Sequence, residues 1–199
     1  MANKDNLFKI KHNNQQPSQG SLLISEPFLQ DSYFQRSVVL LVQHGLDGSM
    51  GFVLNKKTDY VLNSFFPELQ EFDDIPIYLG GPVSSNRLFF IHSLSEAIVP
   101  KTLPITKGLS FDGDFNSIKE YILNGNPVEG KIKFFLGYSG WTKGQLGGEI
   151  DADSWLVSDE AKPPFTLLAD GEAFWKSSLE LLGKEYETWT KFPKDPHLN

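Results

Sequence analysis

Short apolar runs separated by glycine, proline and acidic residues recur along most of the chain. The clearest is residues 38–43, VVLLVQ, which is β-branched and nearly continuous and therefore predicts a strand buried on both faces. Residues 44–49 contain an Asp-Gly pair, which is typical of a hairpin, so residues 50–55 are predicted to return as a second strand. Further short strands are predicted at residues 20–25, 77–79, 87–92, 105–111, 131–137 and 155–157.

Helical spacing is clearest in the second half of the chain. Residues 115–123 have apolar side chains at three- and four-residue intervals, with Asp114 as a candidate N-cap and Asn-Gly as the stop signal. Residues 173–182 show a second amphipathic pattern, and residues 184–190 predict a last short helix. Strands and helices intermix without strict β-α-β alternation, so the pattern predicts a mixed α/β or α+β fold.

The organisation along the chain is simple. Residues 1–19 are polar and predict a flexible leader. Residues 20–199 are long enough for one compact domain, or for two sub-lobes that share a core. The sequence shows no internal repeat.

Composition limits the classes of function. The formal net charge is −7, from 18 basic and 25 acidic residues, and an acidic surface repels the phosphates that supply most non-specific DNA affinity. Cysteine is absent, which excludes disulfides, thiol nucleophiles and thiolate metal sites. No apolar run approaches the ~20 residues that cross a bilayer, and the polar N-terminus lacks the apolar core of a secretory signal. We therefore expect a soluble cytoplasmic protein with no membrane partner.

The glycine-rich stretch at residues 135–149, FLGYSGWTKGQLGGE, is the most distinctive in the chain. A nucleophile elbow has the pattern G-x-S-x-G, whereas Ser139 lies in G-Y-S-G-W, in which the second glycine comes one position early. The spacing therefore disfavours a catalytic serine. It predicts a sharp turn after the preceding strand, with Tyr138 and Trp141 packing around it.

The second half of this stretch predicts a short helix. Gln145 and Glu149 are four residues apart, so they share one face if residues 142–150 are helical. Gly147 and Gly148 would each weaken such a helix by roughly 1 kcal/mol relative to alanine. We interpret them as a place where another backbone packs closely or where the chain turns at the surface. The alternative is a polar patch, built on Gln145 and Glu149, that binds a ligand or partner.

Two histidines stand at the ends of predicted strands, His44 and His92. Together with Asp31 or Glu149 they could in principle ligate a metal. These residues come from distant segments and show no ligand spacing such as H-x-x-x-H. Hydrogen-bonded histidines at strand ends are therefore the preferred interpretation, and we predict neither a metal nor a cofactor.

Other polar and glycine positions have structural interpretations. Asp31 and Arg36 are predicted to form an ion pair that fixes the loop between two strands, and Asn55 is predicted to close a turn at the end of its strand. Gly80 and Gly81 precede a proline and match neither a P-loop nor a dinucleotide-binding fingerprint. They predict a tight turn.

Three motif blocks occur in order over residues 20–158. The first runs through VVLL to the strand G-F-V-L-N, the second is G-G-P-V followed by a strand that ends in histidine, and the third is G-Y-S-G-W followed by G-Q-L and a glutamate. Together they resemble the YqgE/AlgH family of bacterial proteins. The residues that carry the resemblance include Pro27, Asp31, Phe34, Arg36, His44, Asn55, Gly80, Gly81, Pro82, Val83, His92, Gly137, Tyr138, Ser139, Gly140, Trp141, Gln145, Glu149 and Trp155.

The departures from the family pattern are modest. Ser32 stands where the family usually has proline, Met50 where it has a small residue, and Gly147 where it often has glutamate. The last difference removes an acidic pair next to the G-Q-L motif. The resemblance implies a layered α/β/α sheet core with a smaller α+β portion. It also implies a role in transcriptional regulation, although the chain carries no recognisable helix-turn-helix.

Three hypotheses of function follow. The preferred one is a non-enzymatic protein that binds a protein or small-molecule partner, with a regulatory role as the resemblance implies. The second is a hydrolase that uses Ser139 with His44 or His92, and the third is a direct DNA-binding regulator, which the net charge disfavours. The candidate binding residues are Asp31, Arg36, His44, Asn55, Gly80, Gly81, His92, Tyr138, Trp141, Gln145 and Glu149.

Overall fold

A computed structural model describes residues 13–159 and 161–194, and this part of the chain forms ten strands, four α-helices and four 3-10 turns. The strands are β1 (Leu22–Ser25), β2 (Val38–Gly45), β3 (Gly48–Val53), β4 (Lys57–Val61), β5 (Pro76–Leu79), β6 (Val83–His92), β7 (Leu103–Thr106), β8 (Leu109–Phe111), β9 (Ile132–Thr142) and β10 (Trp155–Ser158). The helices are α1 (Phe115–Leu123), α2 (Gln145–Asp151), α3 (Pro163–Leu167) and α4 (Gly171–Leu182), and the 3-10 turns are Leu62–Ser64, Pro67–Leu69, Lys184–Tyr186 and Trp189–Lys191.

The long strand β9 organises the sheet. The strand order is β10-β1-β2-β3-β9-β6-β8-β7, and β5 joins β9 in the parallel direction while also pairing with β4. The first half of β9 lies between β5 and β6, and its second half pairs with β3. All the other strand pairs of the described residues are antiparallel.

Helices cover both faces of the sheet. On one face, α3 and α4 pack over a large apolar cluster that contains the fully buried Trp175. On the other face, Ile118 and Ile122 of α1 pack against β5, β6 and β9, while Leu146 and Ile150 of α2 pack against β1, β2, β3 and β10. The prediction of a mixed α+β fold is therefore confirmed, with helices layered on either side of the sheet.

Several local predictions are confirmed. Strand β2 covers the predicted run, and Gly45 pairs with Gly48 at the predicted hairpin. Helix α1 has the predicted bounds, and the Asp114 side chain accepts a hydrogen bond from the Ser117 backbone N–H at 2.9 Å, as an N-cap does. The amphipathic pattern near residue 175 corresponds to α4.

The predicted turn after residue 137 is wrong. Strand β9 continues to Thr142, so Tyr138, Ser139 and Trp141 lie within the strand. Within the strand, the backbone departs from an extended conformation at Gly137, whose φ of 69° is in the left-handed region. A side chain at Gly137 would place its Cβ 2.6 Å from the Gly81 carbonyl oxygen, so glycine permits both the backbone angle and the close contact.

The single strand predicted at residues 105–111 is a pair of strands. Strands β7 and β8 form an antiparallel hairpin, and Gly108, with a φ of 80°, lies between them. A run of alternating apolar residues does not reveal such a short reversal, because both strands keep the same pattern.

The described end of the predicted leader contacts the sheet. The Asn13 amide donates to the Val157 carbonyl at 2.6 Å, and the Gln19 amide donates to the Pro104 carbonyl at 3.0 Å. Residues 1–12 lie outside the described residues, so a flexible leader stays a prediction, as does the choice between one domain and two sub-lobes. Among the described residues, no helix is long and apolar enough to cross a bilayer.

Candidate functional site

The most distinctive sequence stretch forms a hydrogen-bonded aromatic cluster. One carboxylate oxygen of Glu149 accepts the indole N–H groups of Trp141 and Trp155, at 2.8 and 2.9 Å. The other accepts the Gln145 amide at 3.0 Å. The Phe34 ring stacks on Trp141 and meets Trp155 edge-on, with centroids 6.2 and 5.4 Å away. The structure thus brings together five motif residues, and Glu149 serves as the hydrogen-bond acceptor for two tryptophans.

Of the two interpretations of the α2 glycines, close backbone packing is wrong, whereas a position at the surface agrees with their exposure. A Cβ at Gly147 or Gly148 would meet nothing within 4 Å. Close backbone packing occurs instead where the β5–β6 connection crosses β9. A Cβ at Gly80 would lie 2.2 Å from the Gly137 carbonyl oxygen, and one at Gly81 would lie 2.4 Å from the Tyr138 carbonyl.

The geometry excludes the proposed Ser139 nucleophile. Ser139 is fully buried in β9, and its hydroxyl donates to the Gly80 carbonyl at 3.0 Å. His44 is exposed at the end of β2, where its Nδ1 lies 2.8 Å from the Ser49 hydroxyl. A nucleophilic serine needs a base within hydrogen-bond reach, and Ser139 is bonded to a backbone carbonyl instead.

His44 and His92 lie at opposite ends of β9. Ser49, which pairs with His44, is also the partner of Trp141, whereas His92 is the partner of Ile132. Nine residues of strand separate these positions on β9, on the order of 30 Å at ~3.3 Å per residue. The structure therefore does not bring the two histidines into one site, and among the described residues no group of three acidic or histidine side chains could hold a metal.

His92 is a buried structural histidine. Its Nε2 lies 2.9 Å from the Thr102 hydroxyl and 3.1 Å from the Asp112 carbonyl, while its Nδ1 accepts the Leu94 backbone N–H at 3.2 Å. An Nδ1 acceptor with an Nε2 donor is the neutral tautomer. Burial lowers the pKa of His92, although the backbone contacts oppose this change.

The predicted ion pair between Asp31 and Arg36 is wrong. Asp31 accepts the backbone N–H groups of Tyr33 and Phe34 in its own loop. Arg36 is buried and donates to Glu172 of α4 at 2.5 Å and to the Phe192 carbonyl, and its guanidinium lies 5.2 Å from the Trp175 ring centroid. A buried guanidinium is stabilised by a carboxylate partner and by an aromatic ring against its plane. Helix α4 supplies both, as Glu172 and Trp175.

Asn55 joins three segments. Its Oδ1 accepts the Val38 backbone N–H at 3.0 Å, and its amide donates to the carbonyls of Arg36 and Gly171 at 3.0 and 2.8 Å. The Gly171 N–H returns a bond to the Asn55 carbonyl at 2.9 Å. The prediction of a turn-closing asparagine underestimated this role, because the α4 partner lies 116 residues away.

A cleft of about 770 Å³ lies at the other end of the molecule from the aromatic cluster, along the first half of β9. Its walls come from β4, β5, the connection between α1 and β9, and the connection between α3 and α4. The apolar lining includes Val61, Phe72, Ile75, Ile122, Val128 and Leu167, and the polar lining includes Lys57, Tyr78, Lys133 and Asp170. We call it the Lys133 cleft.

Lys133 is the unusual group of this cleft. Its side chain is only 3% exposed, its Nζ donates to the Ala169 carbonyl at 2.5 Å, and the same atom lies 3.3 Å from the centroid of the Tyr78 ring. Burial lowers the pKa of Lys133 to about 7, against the opposing influence of the Asp170 carboxylate, and the Lys57 ammonium lowers it further. Near neutral pH the group therefore exists partly as a neutral amine.

The groups around Lys133 set the charge of the cleft. Lys57 and Asp170 form a half-exposed ion pair with 3.4 Å between nitrogen and oxygen. Burial raises the pKa of Tyr78 to about 12, helped by Asp170 and Glu129, so its phenol stays protonated. Asp73 and Asp74 add exposed carboxylates to the lining. The cleft therefore combines apolar side chains with two lysines and several carboxylates.

The Lys133 cleft was not predicted from the sequence. A signal existed, because Lys133 interrupts the otherwise apolar strand I-K-F-F-L, and a charged residue inside a buried strand is uncommon. Tyr78 and Asp170 gave no comparable signal, since their approach to Lys133 depends on the tertiary fold.

The fold and the cleft define a mixed α+β protein whose central strand, β9, contributes a buried lysine to the lining of a cleft large enough for a small molecule. The profile of DUF179, described as AlgH-like, matches residues 22–187, and the chain belongs to this family.

Curated relatives match the chain over nearly its whole length. A UPF0301 protein of Parabacteroides distasonis is 65% identical over 199 residues, which is all of both chains. A UPF0301 protein of Bacteroides fragilis is 50% identical over 193 residues, or 97% of each chain. The resemblance seen in the three motif blocks is thus confirmed over the whole domain.

Solved structures have the same fold. The solution structure of the AlgH protein from Pseudomonas aeruginosa matches with a TM-score of 0.66 and 27% identity, over 90% of this chain and 97% of that one. A crystal structure of a Corynebacterium diphtheriae protein matches with a TM-score of 0.73 and 21% identity, over 89% and 94% of the two chains. The second likeness supports the shared fold alone.

Proposed function

We propose that this protein is a non-enzymatic cytoplasmic binding protein, and that it binds a small molecule in the Lys133 cleft. The observation that carries the proposal is a cleft of about 770 Å³ with apolar walls and a few converging polar groups. Ligand sites in proteins typically have volumes of ~300–1,000 Å³ and this mixture of lining groups. A buried lysine is costly for stability, so its presence on the cleft wall favours a role in binding.

The lining indicates the chemistry of the ligand. Apolar side chains form most of the walls, so the ligand has an apolar body. Lys133 and Tyr78 offer polar contacts at the inner end, where a carbonyl oxygen would accept a hydrogen bond. The exposed carboxylates of Asp73, Asp74 and Glu129 also line the cleft and repel multiply charged anions such as nucleotides. A compact molecule that is neutral or singly charged fits these conditions.

A regulatory role is the second part of the proposal. The resemblance of the three motif blocks to the YqgE/AlgH family implies such a role, and surface connections that a bound ligand would order border the cleft. The connections at residues 125–130 and 168–170 both border the cleft and face solvent in part. Ligand binding would change the surface that they present to a protein partner. The net charge of −7 favours such a partner over direct contact with DNA.

The test is a binding experiment with a variant that fills the cleft. Pools of small aldehydes, ketones, monocarboxylates and amines are added to the full chain, and melting temperature and amide NMR shifts are measured. We expect at least one pool to raise the melting temperature and to shift signals of residues that line the cleft. No effect from any pool, or shifts confined to other surfaces, would contradict the proposal.

Two exposed leucines provide a matched pair for this test. Leu168 lines the cleft and is 53% exposed, whereas Leu181 of α4 lies outside it and is 62% exposed. Leu168→Trp fills the cleft and is expected to weaken binding at least tenfold. Leu181→Trp adds the same bulk elsewhere and is expected to leave the affinity unchanged. Equal affinities for both variants would place the ligand outside the cleft.

A further inference from the structure

We infer that Lys133 attaches its ligand covalently and reversibly: its Nζ condenses with the carbonyl of an aldehyde or ketone held in the Lys133 cleft. The inference rests on the proposed binding function and deepens it. It gives the ligand a defined reactive group, and it gives the buried lysine a chemical task.

The position of the amine carries the inference. Lys133 lies on the central strand, and its Nζ is held between the Ala169 carbonyl and the face of Tyr78, at 2.5 and 3.3 Å. Both contacts fix the amine at the inner end of a cleft whose other walls are mainly apolar. A ligand with an apolar body would therefore bring its carbonyl carbon to a stationary nitrogen. Such fixed orientation is a large part of the advantage of a bound over a free reactant.

The surroundings also supply the reactive form of the amine. An amine attacks a carbonyl only when it is unprotonated, and enzymes activate such lysines by apolar burial or by a second cation. Lys133 has both, since it is almost fully buried and Lys57 of β4 lies near it. The other charged or titratable groups of the cleft are Tyr78 of β5, Asp73 and Asp74 before β5, Asp170 before α4 and Glu129 before β9. Asp170 opposes deprotonation, but burial is the larger influence.

The reaction balances without an oxidant or a metal. The lone pair of Nζ attacks the carbonyl carbon, a C–N bond forms, and a proton passes from nitrogen to the former carbonyl oxygen to give a carbinolamine. The C–O bond then breaks, and the hydroxyl group leaves as water with the remaining proton of the nitrogen. The resulting imine takes up one proton to become an iminium ion. Addition of water reverses every step and releases the carbonyl compound and the free amine.

The site also suits the product. An iminium nitrogen keeps one N–H, which can still donate to the Ala169 carbonyl. Its positive charge can remain near the face of the Tyr78 ring, as the ammonium does in the free protein. Lys57 lies farther from the same ring, with its Nζ 5.9 Å from the centroid, and it is half-exposed and paired with Asp170. The inference therefore singles out Lys133 among the lysines of the cleft.

The experiment traps the imine in the unmodified protein. The folded full chain is incubated with benzaldehyde and sodium cyanoborohydride, which delivers a hydride to the iminium carbon and leaves a stable benzylamine. Peptide mass spectrometry then locates each benzyl group. Benzyl alcohol, which lacks the carbonyl, serves as the matched control for binding without condensation. The urea-unfolded chain gives the intrinsic reactivity of every lysine.

We expect Lys133 to be labelled at least tenfold faster than any other lysine at pH 7, and to lose this advantage in urea. Lys133→Met should remove the fast-labelled site while a circular dichroism spectrum reports an unchanged fold.

Two other outcomes overturn the inference in different ways. Labelling in proportion to surface exposure, while benzyl alcohol still shifts the NMR signals of the cleft, would refute covalent attachment and leave the binding function standing. Such labelling without any effect of benzyl alcohol or benzaldehyde on the cleft would refute the covalent step and also weigh against the proposed binding site.

Discussion

At the scale of single residues, the burial of Lys133 lowers the stability of the fold and makes its amine more reactive. An amine buried in an apolar strand loses hydration, and one carbonyl together with one aromatic face replaces only part of it. The folded protein therefore holds the proton of this lysine less tightly than the unfolded chain does. The same property that makes the amine reactive thus makes stability depend on pH.

The first prediction concerns that pH dependence. The pKa of Lys133 falls from 10.5 in the unfolded chain to about 7 in the fold, so between these values the unfolded chain binds the additional proton. The free energy of unfolding should therefore rise with pH from 7 to 9.5, by up to about 1.4 kcal/mol per pH unit from this group. Lys133→Met removes this contribution, so it should stabilise the protein most at pH 7 and progressively less above it.

Urea unfolding at pH 7, 8 and 9, followed by tryptophan fluorescence, measures the effect. Lys131→Met is the matched control, because Lys131 is exposed and precedes Lys133 by two positions. We expect its stability curve to run parallel to that of the wild type. A parallel curve for Lys133→Met as well would contradict the assigned pKa.

The second prediction at this scale concerns Glu149. Glu149→Ala leaves the indole N–H groups of Trp141 and Trp155 without their acceptor in the interior, so it should lower the free energy of unfolding by about 2–4 kcal/mol. Gln145→Ala removes one exposed contact to the same carboxylate and should cost less than about 1 kcal/mol. Chemical unfolding of both variants compares the two costs, and equal losses would refute the structural role of Glu149.

At the scale of elements, the bend in β9 determines how the sheet is assembled. Gly137 lies between residues 134–136 of β9, which pair with both β5 and β6, and residues 139–142, which pair with β3. The β5–β6 connection crosses at the same point, where Gly80 and Gly81 allow backbone contact. The glycines of the second and third motif blocks are therefore one structural feature, although they lie more than 50 residues apart in sequence.

The third prediction compares two glycines of the same motif region. Gly137→Ala forces a Cβ against the carbonyls of Gly81 and Val83 at a φ of 69°, so it should destabilise the protein by more than about 2 kcal/mol. Gly148→Ala adds a methyl group to open space inside α2 and should stabilise by up to about 1 kcal/mol. Melting temperatures should therefore move in opposite directions, and a loss at both positions would contradict the open surface of α2.

The arrangement of the elements also explains which of them could be predicted from the sequence. Helix α1 was predictable because its cap, its apolar spacing and its stop signal lie within twelve residues. The path of β9 was not, because a glycine is a typical strand break and the pairing of residues 139–142 with β3 depends on the tertiary fold. The partner of Arg36 was beyond reach for a related reason: Glu172 is 136 residues away, whereas Asp31 was near in sequence.

The candidate site likewise has some features that are local in sequence and others that depend on distant segments. Lys133 was visible as a lone charge in an apolar strand, but the cleft around it is assembled from four separate segments. The α3–α4 connection supplies Ala169 and Asp170. No local sequence pattern indicates that this connection lies next to Lys133 in the fold. The aromatic cluster was partly visible, since Gln145 and Glu149 do share one face of α2 as predicted. Its tryptophan partners became evident only from the sheet register.

At the scale of the whole molecule, charge separates the remaining hypotheses. A direct DNA-binding regulator needs a face on which lysines and arginines outnumber acids, because each phosphate contact depends on a basic group. The chain has 18 basic and 25 acidic residues. Several of the cations are committed within the fold: Arg36 to Glu172, Lys119 to Glu68 and Lys57 to Asp170. Because these cations are already paired with carboxylates of the same chain, fewer of them are available to bind phosphates than the composition alone suggests.

The last prediction is therefore that the protein does not bind DNA directly. Titration of the full chain into a fluorescein-labelled duplex of about 30 base pairs at about 20 mM salt, a condition that favours electrostatic binding, should leave the anisotropy unchanged at micromolar protein. A basic DNA-binding protein in the same cell should saturate the signal, which establishes that the assay detects phosphate contacts. Saturable binding whose affinity falls steeply with salt would reveal a basic face and would contradict the prediction. Any regulatory role must otherwise act through a ligand or a protein partner, and the Lys133 cleft is where we expect that action to begin.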